Sequence, residues 1–276
     1  MSKDTHFGHE SGLREARQLV VDLRALGEAV AAVSIADDAL VNIGLADQYA
    51  TIKTPLGLVY IAWSWDGLAL AMRAENDEEF RARARALRGR AVTPGALPQR
   101  LARGVRAWLA GDDHAPLTFD LLRLTPFERA ALMKAREIPH GEVRPYGWIA
   151  REIGHPGATR AVGTAMAHNP IPLFIPCHRV VRTDGHIGNY SMGGPEAKRT
   201  LLTYEGVDVD GLEQLAASGA RYIGNYENRS YCYPTCHGAR NTSPAHRVRF
   251  HDEAQAHSAG YHPCDTCRPP QPRLAG

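Results

Sequence analysis

The chain has 276 residues, 44% of them hydrophobic and 22% charged, with a net charge of +2. This is ordinary soluble globular composition, with length for two domains or for one and a small appendage. It excludes a membrane-spanning chain, since no apolar run reaches spanning length, and it excludes nucleic-acid binding through bulk charge. Arginine outnumbers lysine, however, so a local basic patch stays open. No charged-then-apolar leader opens the chain. The expected compartment is therefore the cytoplasm, where thiols stay reduced, and the 5 cysteines read as one candidate nucleophile and four others, not as disulfides.

Residues 1–12 are polar and read as unstructured. Leu19, Val20, Leu23, Leu26, Val30 and Val33 then recur at amphipathic-helix spacing, which predicts a helix over 13–33 packed on its own domain. A β-rich piece follows. Residues 49–54 and 56–63 read as strands, and 68–72 as a third beyond the turn pair Asp66-Gly67, which makes a hairpin. Residues 77–88 predict a charged helix and 98–109 another, with Pro98 tolerated in its first turn. The acidic Asp66, Asp77, Glu78 and Glu79 fall on a turn and a solvated helix face, and form no site of their own.

Residues 126–137 predict the next helix, with Thr125 as its cap. After His140-Gly141 come two more, over 146–154 and 158–168, broken at Pro156-Gly157. That is the helix-turn-helix pattern. The second helix carries one long cation, Arg160, among Gly, Ala and Thr, whose small side chains let a helix approach a groove closely.

Pro176-Cys177-His178-Arg179 interrupts an otherwise apolar run. A thiol in such a run is ordinarily inert, but the adjacent His178 supplies a base that can take its proton. Around it stand Tyr146, Arg160-Ala161-Val162-Gly163, Asn169-Pro170-Ile171-Pro172, Asn189-Tyr190-Ser191 and Glu205-Gly206. In that order and spacing, residues 124–206 resemble the active-site domain of the O6-alkylguanine-DNA alkyltransferases, also called methylated-DNA–protein-cysteine methyltransferases.

The resemblance implies direct-reversal DNA repair: single-turnover transfer of the alkyl group from O6-alkylguanine, and from O4-alkylthymine, to Cys177. No cofactor takes part in that transfer. It implies that His178 takes the thiol proton through a water, with Glu205 orienting the imidazole, and that Tyr146 donates toward guanine N3. Asn169 would be the hinge to the active-site turn. Arg160 would be the finger that fills the space of a flipped-out base, with the second helix in the minor groove of double-stranded DNA. Val180, Tyr190, Ser191 and Lys198 would surround the base, and Arg179 would hold the loop. A monomer associated with the nucleoid when DNA-bound is the implied state. One departure is visible. The commonest family form reads Tyr-x-Gly-Gly, whereas Tyr190-Ser191-Met192-Gly193-Gly194 is one residue longer, and Met192 is expected to enter the loop walling the alkyl pocket.

Beyond residue 218 the composition turns to Tyr, His, Asn, Arg and Pro. Cys232 and Cys236, with Cys264 and Cys267, make two close thiol pairs in a reduced compartment, a tetrahedral zinc signal. His237 and His262 are substitute ligands. So small a domain lacks a sizeable core, and metal binding is expected to hold it folded. Cys232-Tyr233-Pro234-Thr235-Cys236, Arg247-Val248-Arg249-Phe250 and Ala259-Gly260-Tyr261-His262-Pro263-Cys264 resemble a short metal-binding domain of the Ada regulator. That likeness implies methyl transfer from phosphotriesters to Cys232. Tyr233 stands where that family usually has arginine, and a structural zinc module is the preferred expectation.

The expected fold class is α+β, in four parts: an N-terminal helical extension (1–48), a small RNase H-like subdomain (49–120), a helical, winged helix-turn-helix-like alkyltransferase domain (121–208) and a four-cysteine, Ada-like zinc module (220–270). Two other readings compete. A non-catalytic lesion sensor of the same fold would lack the acceptor cysteine, which this chain has. An unrelated Cys-His hydrolase leaves the helix pair, Arg160 and the four thiols unexplained.

Overall fold

The computed structural model describes residue 41 and residues 43–272. The helix expected over 13–33 lies outside the described residues.

The first sheet is built by alternation. β1 (Ala46–Thr54) and β2 (Gly57–Ser64) pair antiparallel, with Ile52 opposite Val59. β3 (Gly67–Met72) returns against β2. The turn requires its glycine: Gly67 has φ +135°, and a Cβ there would fall 2.2 Å from the Thr118 carbonyl oxygen. Tyr60, Ala62, Leu70 and Met72 face one side, where Phe80 and Ala84 of α1 (Asp77–Arg88) cover them. The first helix begins at Asn76, whose side chain accepts from the Glu79 amide, and ends at the left-handed Gly89. It leads into β4 (Ala91–Pro94), parallel to β1, so the sheet runs β3-β2-β1-β4. This last strand shows no alternation in four residues and ends in proline, which is why the sequence does not betray it. The first strand also starts at Ala46, within the range expected to be extension.

Val59, Ile61, Trp63 and Leu68 face the opposite side of the sheet, against α2 (Gln99–Leu109) and the helical domain. That domain opens with α3 (Pro126–Arg136), whose Thr125 and Glu128 form a reciprocal capping box. The two-residue β5 (Arg144–Pro145) precedes α4 (Tyr146–Glu152) and α5 (Thr159–Ala167). A 3-10 turn, Cys177–Arg179, runs into β6 (Val180–Val181), which pairs parallel with β5. The helices α6 (Gly194–Tyr204) and α7 (Val209–Ala217) close the domain.

The C-terminal module is a four-stranded sheet in the order β10-β8-β7-β9, from β7 (Tyr222–Asn225), β8 (Ser230–Cys232), β9 (Arg247–Phe250) and β10 (His262–Pro263). Short helices α8 (His237–Asn241) and α9 (Glu253–Ser258) complete it. It is better filled than its size suggests. Tyr222, Tyr231, Tyr233, Phe250 and Tyr261 are all buried, in one apolar cluster with Trp148 and Ile149 of the catalytic domain. Aromatic rings, which bury large areas per residue, supply the core that length alone does not. Among the described residues no helix is long and apolar enough to cross a membrane.

Candidate active site and metal centre

The turn bearing Cys177 is fixed from both sides. Before it, Leu173 adopts a left-handed φ of 79°, a conformation that costs an L-residue about 1–2 kcal/mol. Its carbonyl accepts a 2.7 Å hydrogen bond from Trp108 Nε1, so the N-terminal unit helps hold it. Asn169, just beyond α5, donates through Nδ2 to Ile175 O at 2.8 Å and to Cys177 Sγ at 3.1 Å, while its Oδ1 accepts from the Ile171 amide. One side chain thus ties the end of the second helix to the reactive turn.

Cys177 is 4% exposed and reaches a pocket of about 250 Å³ walled by Tyr146, Gly163, Met166, Ala167, Tyr190 and Ser191. Gly163 faces open space, so the helix adds no bulk there. Burial pushes the Cys177 thiol above its usual value, with Asn169 and Lys198 pulling the other way. The thiol is therefore protonated at neutral pH and needs a base. Burial also raises Tyr146, which keeps its hydroxyl a donor.

The candidate base is the next residue in the chain. His178 Nε2 is 2.8 Å from Glu205 Oε1, and burial lowers the imidazole pKa despite that carboxylate. Burial alone would raise Glu205, but His178 and then Arg179 outweigh it and hold the carboxyl at about 2. With the imidazole neutral, Nε2 carries the hydrogen toward the carboxylate and Nδ1 keeps its lone pair. Nδ1 is buried and has no hydrogen-bond partner among the described residues. It is the atom free to accept a proton.

Arg179 supports the carboxylate. Its Nη1 reaches Asp113 Oδ1 at 2.9 Å and Ile138 O at 2.7 Å, its Nε and Nη2 grip Glu205, and its guanidinium lies over the Trp108 ring. Asp113 was not foreseen, because it comes from a polar loop with no motif around it.

Other expected residues fall in varied places. Ser191 lines the thiol pocket, and Tyr190 packs edge-on to His178 at 5.9 Å between ring centres. Arg160 is exposed on α5. Lys198 is fully buried beneath the pocket and gives Nζ to Val180 O at 2.6 Å, with burial lowering its pKa to about 8. Tyr190 and Ser191 of the longer loop wall the thiol pocket, while Met192 in the same loop lines the neighbouring cavity of about 610 Å³ with Met72, Leu124 and Pro172.

The second cluster is made of sulfur. One ligand atom from each of Cys232, Cys236, Cys264 and Cys267 lies within 4.8 Å of all the others. Four thiolates around zinc at ~2.3 Å would stand roughly 3.8 Å apart, so the donor set and spacing fit that ion. Such a metal would be held by all four thiolates and would crosslink the two thiol pairs. His237 and His262 are not in the cluster.

A cysteine in a walled pocket, followed directly by a buried imidazole on an ionised carboxylate, defines a protein whose chemistry runs through a thiol nucleophile. Comparison narrows the class. The 6-O-methylguanine DNA methyltransferase DNA-binding domain matches residues 126–207, and the metal-binding domain of Ada matches residues 213–270. The methylated-DNA–protein-cysteine methyltransferase of Rattus norvegicus is 34% identical over 201 residues, 67% of this chain and 92% of the relative. That of Mycolicibacterium paratuberculosis is 37% identical over 162 residues, 57% of this chain and 92% of the relative. Among solved structures, Mycobacterium tuberculosis OGT in complex with DNA aligns at 34% identity and a TM-score of 0.47, covering 60% of this chain and 99% of that one. The chain belongs to the methylated-DNA–protein-cysteine methyltransferase family and shares its enzyme class.

Proposed function

We propose that the protein repairs DNA by transferring the alkyl group of O6-alkylguanine, and of O4-alkylthymine, irreversibly to Cys177. The observation that carries this reading is that Cys177 lines the Tyr146 pocket while the very next residue, His178, sits in a buried pair with Glu205. His178 Nδ1 takes the thiol proton through a water, and sulfur attacks the alkyl carbon in line with the bond to O6. The C–S bond forms as the C–O bond breaks, and the electron pair passes to the guanine ring. Tyr146 donates toward N3 as that charge develops, and the proton the base regains balances the one the thiol lost. The thioether has no route back, so each molecule acts once.

Reaching the pocket requires a flipped nucleotide, at a cost of a few kcal/mol that a weakened O6-alkyl pair reduces. The small-residue face of α5 and the exposed Arg160 suit a minor-groove helix with a finger in the vacated space. In this reading α4 and α5 are the helix-turn-helix of a catalytic domain over 121–208. Asn169 is its hinge, while Ser191, Tyr190 and the Val180 carbonyl surround the base, with Lys198 below. The sheet order, with α1 leading to a strand parallel to β1, supports an RNase H-like N-terminal unit over 49–120. The module over 220–270 is a structural zinc domain. The protein acts as a monomer on double-stranded DNA.

Intact-protein mass spectrometry with peptide mapping tests the reading. After incubation with a duplex containing one O6-methylguanine, one methyl group is expected on Cys177. Tight lesion binding with Cys177 unmodified would replace repair by lesion sensing. A methyl on Cys232 from a methylphosphotriester duplex would give the zinc module its own chemistry.

A further inference from the structure

The zinc module is wired into the catalytic domain at the strand beside the reactive turn. Thr235, between the first two cysteines, accepts the Val143 amide on Oγ1 at 2.9 Å. The His237 amide, directly after Cys236, donates to Glu142 Oε1 at 2.9 Å. Glu142 is 3% exposed, and its other oxygen pairs with Arg144, which is 2% exposed and lies between the Trp148 and Tyr233 rings. Arg144 and Pro145 form β5, and Arg144 stands opposite Val180 in the β5–β6 ladder. Val180 directly follows Cys177–Arg179. Gly141, next to Glu142, approaches so closely that a Cβ there would lie 2.9 Å from the Glu205 carbonyl oxygen. Past the last cysteine, Arg268 pairs with Glu152 at 2.6 Å, at the end of α4.

We propose that Thr235 and Glu142 are positioning residues for alkyl transfer, through which the metal-closed loop Cys232–Cys236 holds β5 and hence the turn carrying Cys177 and His178. A surface appendage would touch the domain through water and exposed side chains. Here instead a zinc loop accepts from a buried backbone amide and donates to a buried carboxylate, and the ladder carries that constraint to the nucleophile within one strand pairing. Closing the loop with metal fixes the Thr235 hydroxyl and the His237 amide together. Opening it frees both, and leaves the Glu142 carboxylate buried with one partner fewer, a state a buried charge does not tolerate. The inference rests on Cys177 being the alkyl acceptor.

The test uses full-length, zinc-loaded protein, Thr235→Val and, as the conservative rescue, Thr235→Ser. Three quantities are read: methyl transfer at saturating O6-methylguanine duplex, affinity for that duplex in a Cys177→Ala background, and the pH profile of iodoacetamide modification at Cys177. Thr235→Val is expected to keep its zinc and its DNA affinity. Its transfer at saturation should slow about tenfold, as a small misplacement of reacting groups does, and its Cys177 profile should move to higher pH. Thr235→Ser should restore both. Wild-type protein stripped of zinc should show the same changes, reversed on adding zinc ion. If Thr235→Val fails to fold, the milder Glu142→Gln carries the same readouts. Unchanged transfer and an unchanged Cys177 profile in a folded variant would overturn the inference. A wild-type protein that transfers no methyl would instead overturn the proposed function, and the two failures are distinct.

Discussion

Arg179 holds Glu205 with two nitrogens, Nε at 2.9 Å and Nη2 at 3.1 Å, and the same carboxylate meets His178 at 2.8 Å. The guanidinium fork and the imidazole therefore share one buried anion. Lysine keeps the charge at this position but cannot span both oxygens. Arg179→Lys is expected to lose about 3–5 kcal/mol of stability, the usual cost of breaking a buried pair, measured by urea unfolding. Methyl transfer by the folded fraction should drop at least tenfold, because the carboxylate that aligns His178 swings free. Transfer at the wild-type rate would mean that Glu205 needs no second support.

The same group of residues fixes an acid limb. An unfolded chain protonates Glu205 near 4.5, whereas the native carboxyl holds out to about 2. Its contribution is complete above the first value and is lost as pH falls through that window, roughly 3 kcal/mol in all. His178 acts in the same direction, since its native pKa is depressed below 6.5 by burial. The unfolded imidazole takes a proton before the native one does. Stability should therefore decline from about pH 6.5 downward, and Glu205→Gln should flatten the part below 4.5. Equilibrium unfolding at stepped pH reads this directly, and a mutant curve parallel to wild type would dispose of the assignment.

These pairings mark how far the sequence reaches. The hairpin beside Gly67, found one residue earlier than expected with Trp65 and Asp66 at its tip, the Thr125 cap and the four zinc-spaced cysteines are local chemistry. Asp113 meets Arg179 across a long sequence separation, and nothing in the loop around Asp113 announces it. The left-handed Leu173 has no glycine to advertise it, because the Trp108 hydrogen bond and close packing hold the strain. Thr235 reads as filler between zinc ligands. Only the fold brings its hydroxyl to the Val143 amide.

Met192 makes the extra residue of its loop testable. It is 6% exposed and lines the cavity beside the N-terminal sheet, while Ser191 takes the place beside Cys177. Truncation to alanine should cost about 2–5 kcal/mol, as for other buried methionines. Methyl and benzyl transfer should keep their wild-type ratio when both are measured at a temperature where the variant is folded. A variant that gains on the larger group would place Met192 in the alkyl wall after all.

Metal loss should be felt across the molecule. Buried Tyr222, Tyr233 and Phe250 share one apolar cluster with Trp148 and Ile149, so the C-terminal module and the catalytic domain are joined by a common core as well as by polar contacts. Structural zinc contributes about 10–16 kcal/mol in isolated zinc-finger peptides, and Cys267→Ser removes a fully buried ligand. Zinc-loaded wild type is expected to melt in one calorimetric transition. Cys267→Ser should bind zinc more weakly and melt lower, with the fluorescence of Trp148 changing in the same transition as the tyrosine signal of the module. Two resolved transitions, with the catalytic domain melting at its wild-type temperature, would mean that the module folds and fails independently. The shared core would then be a contact surface without cooperative weight.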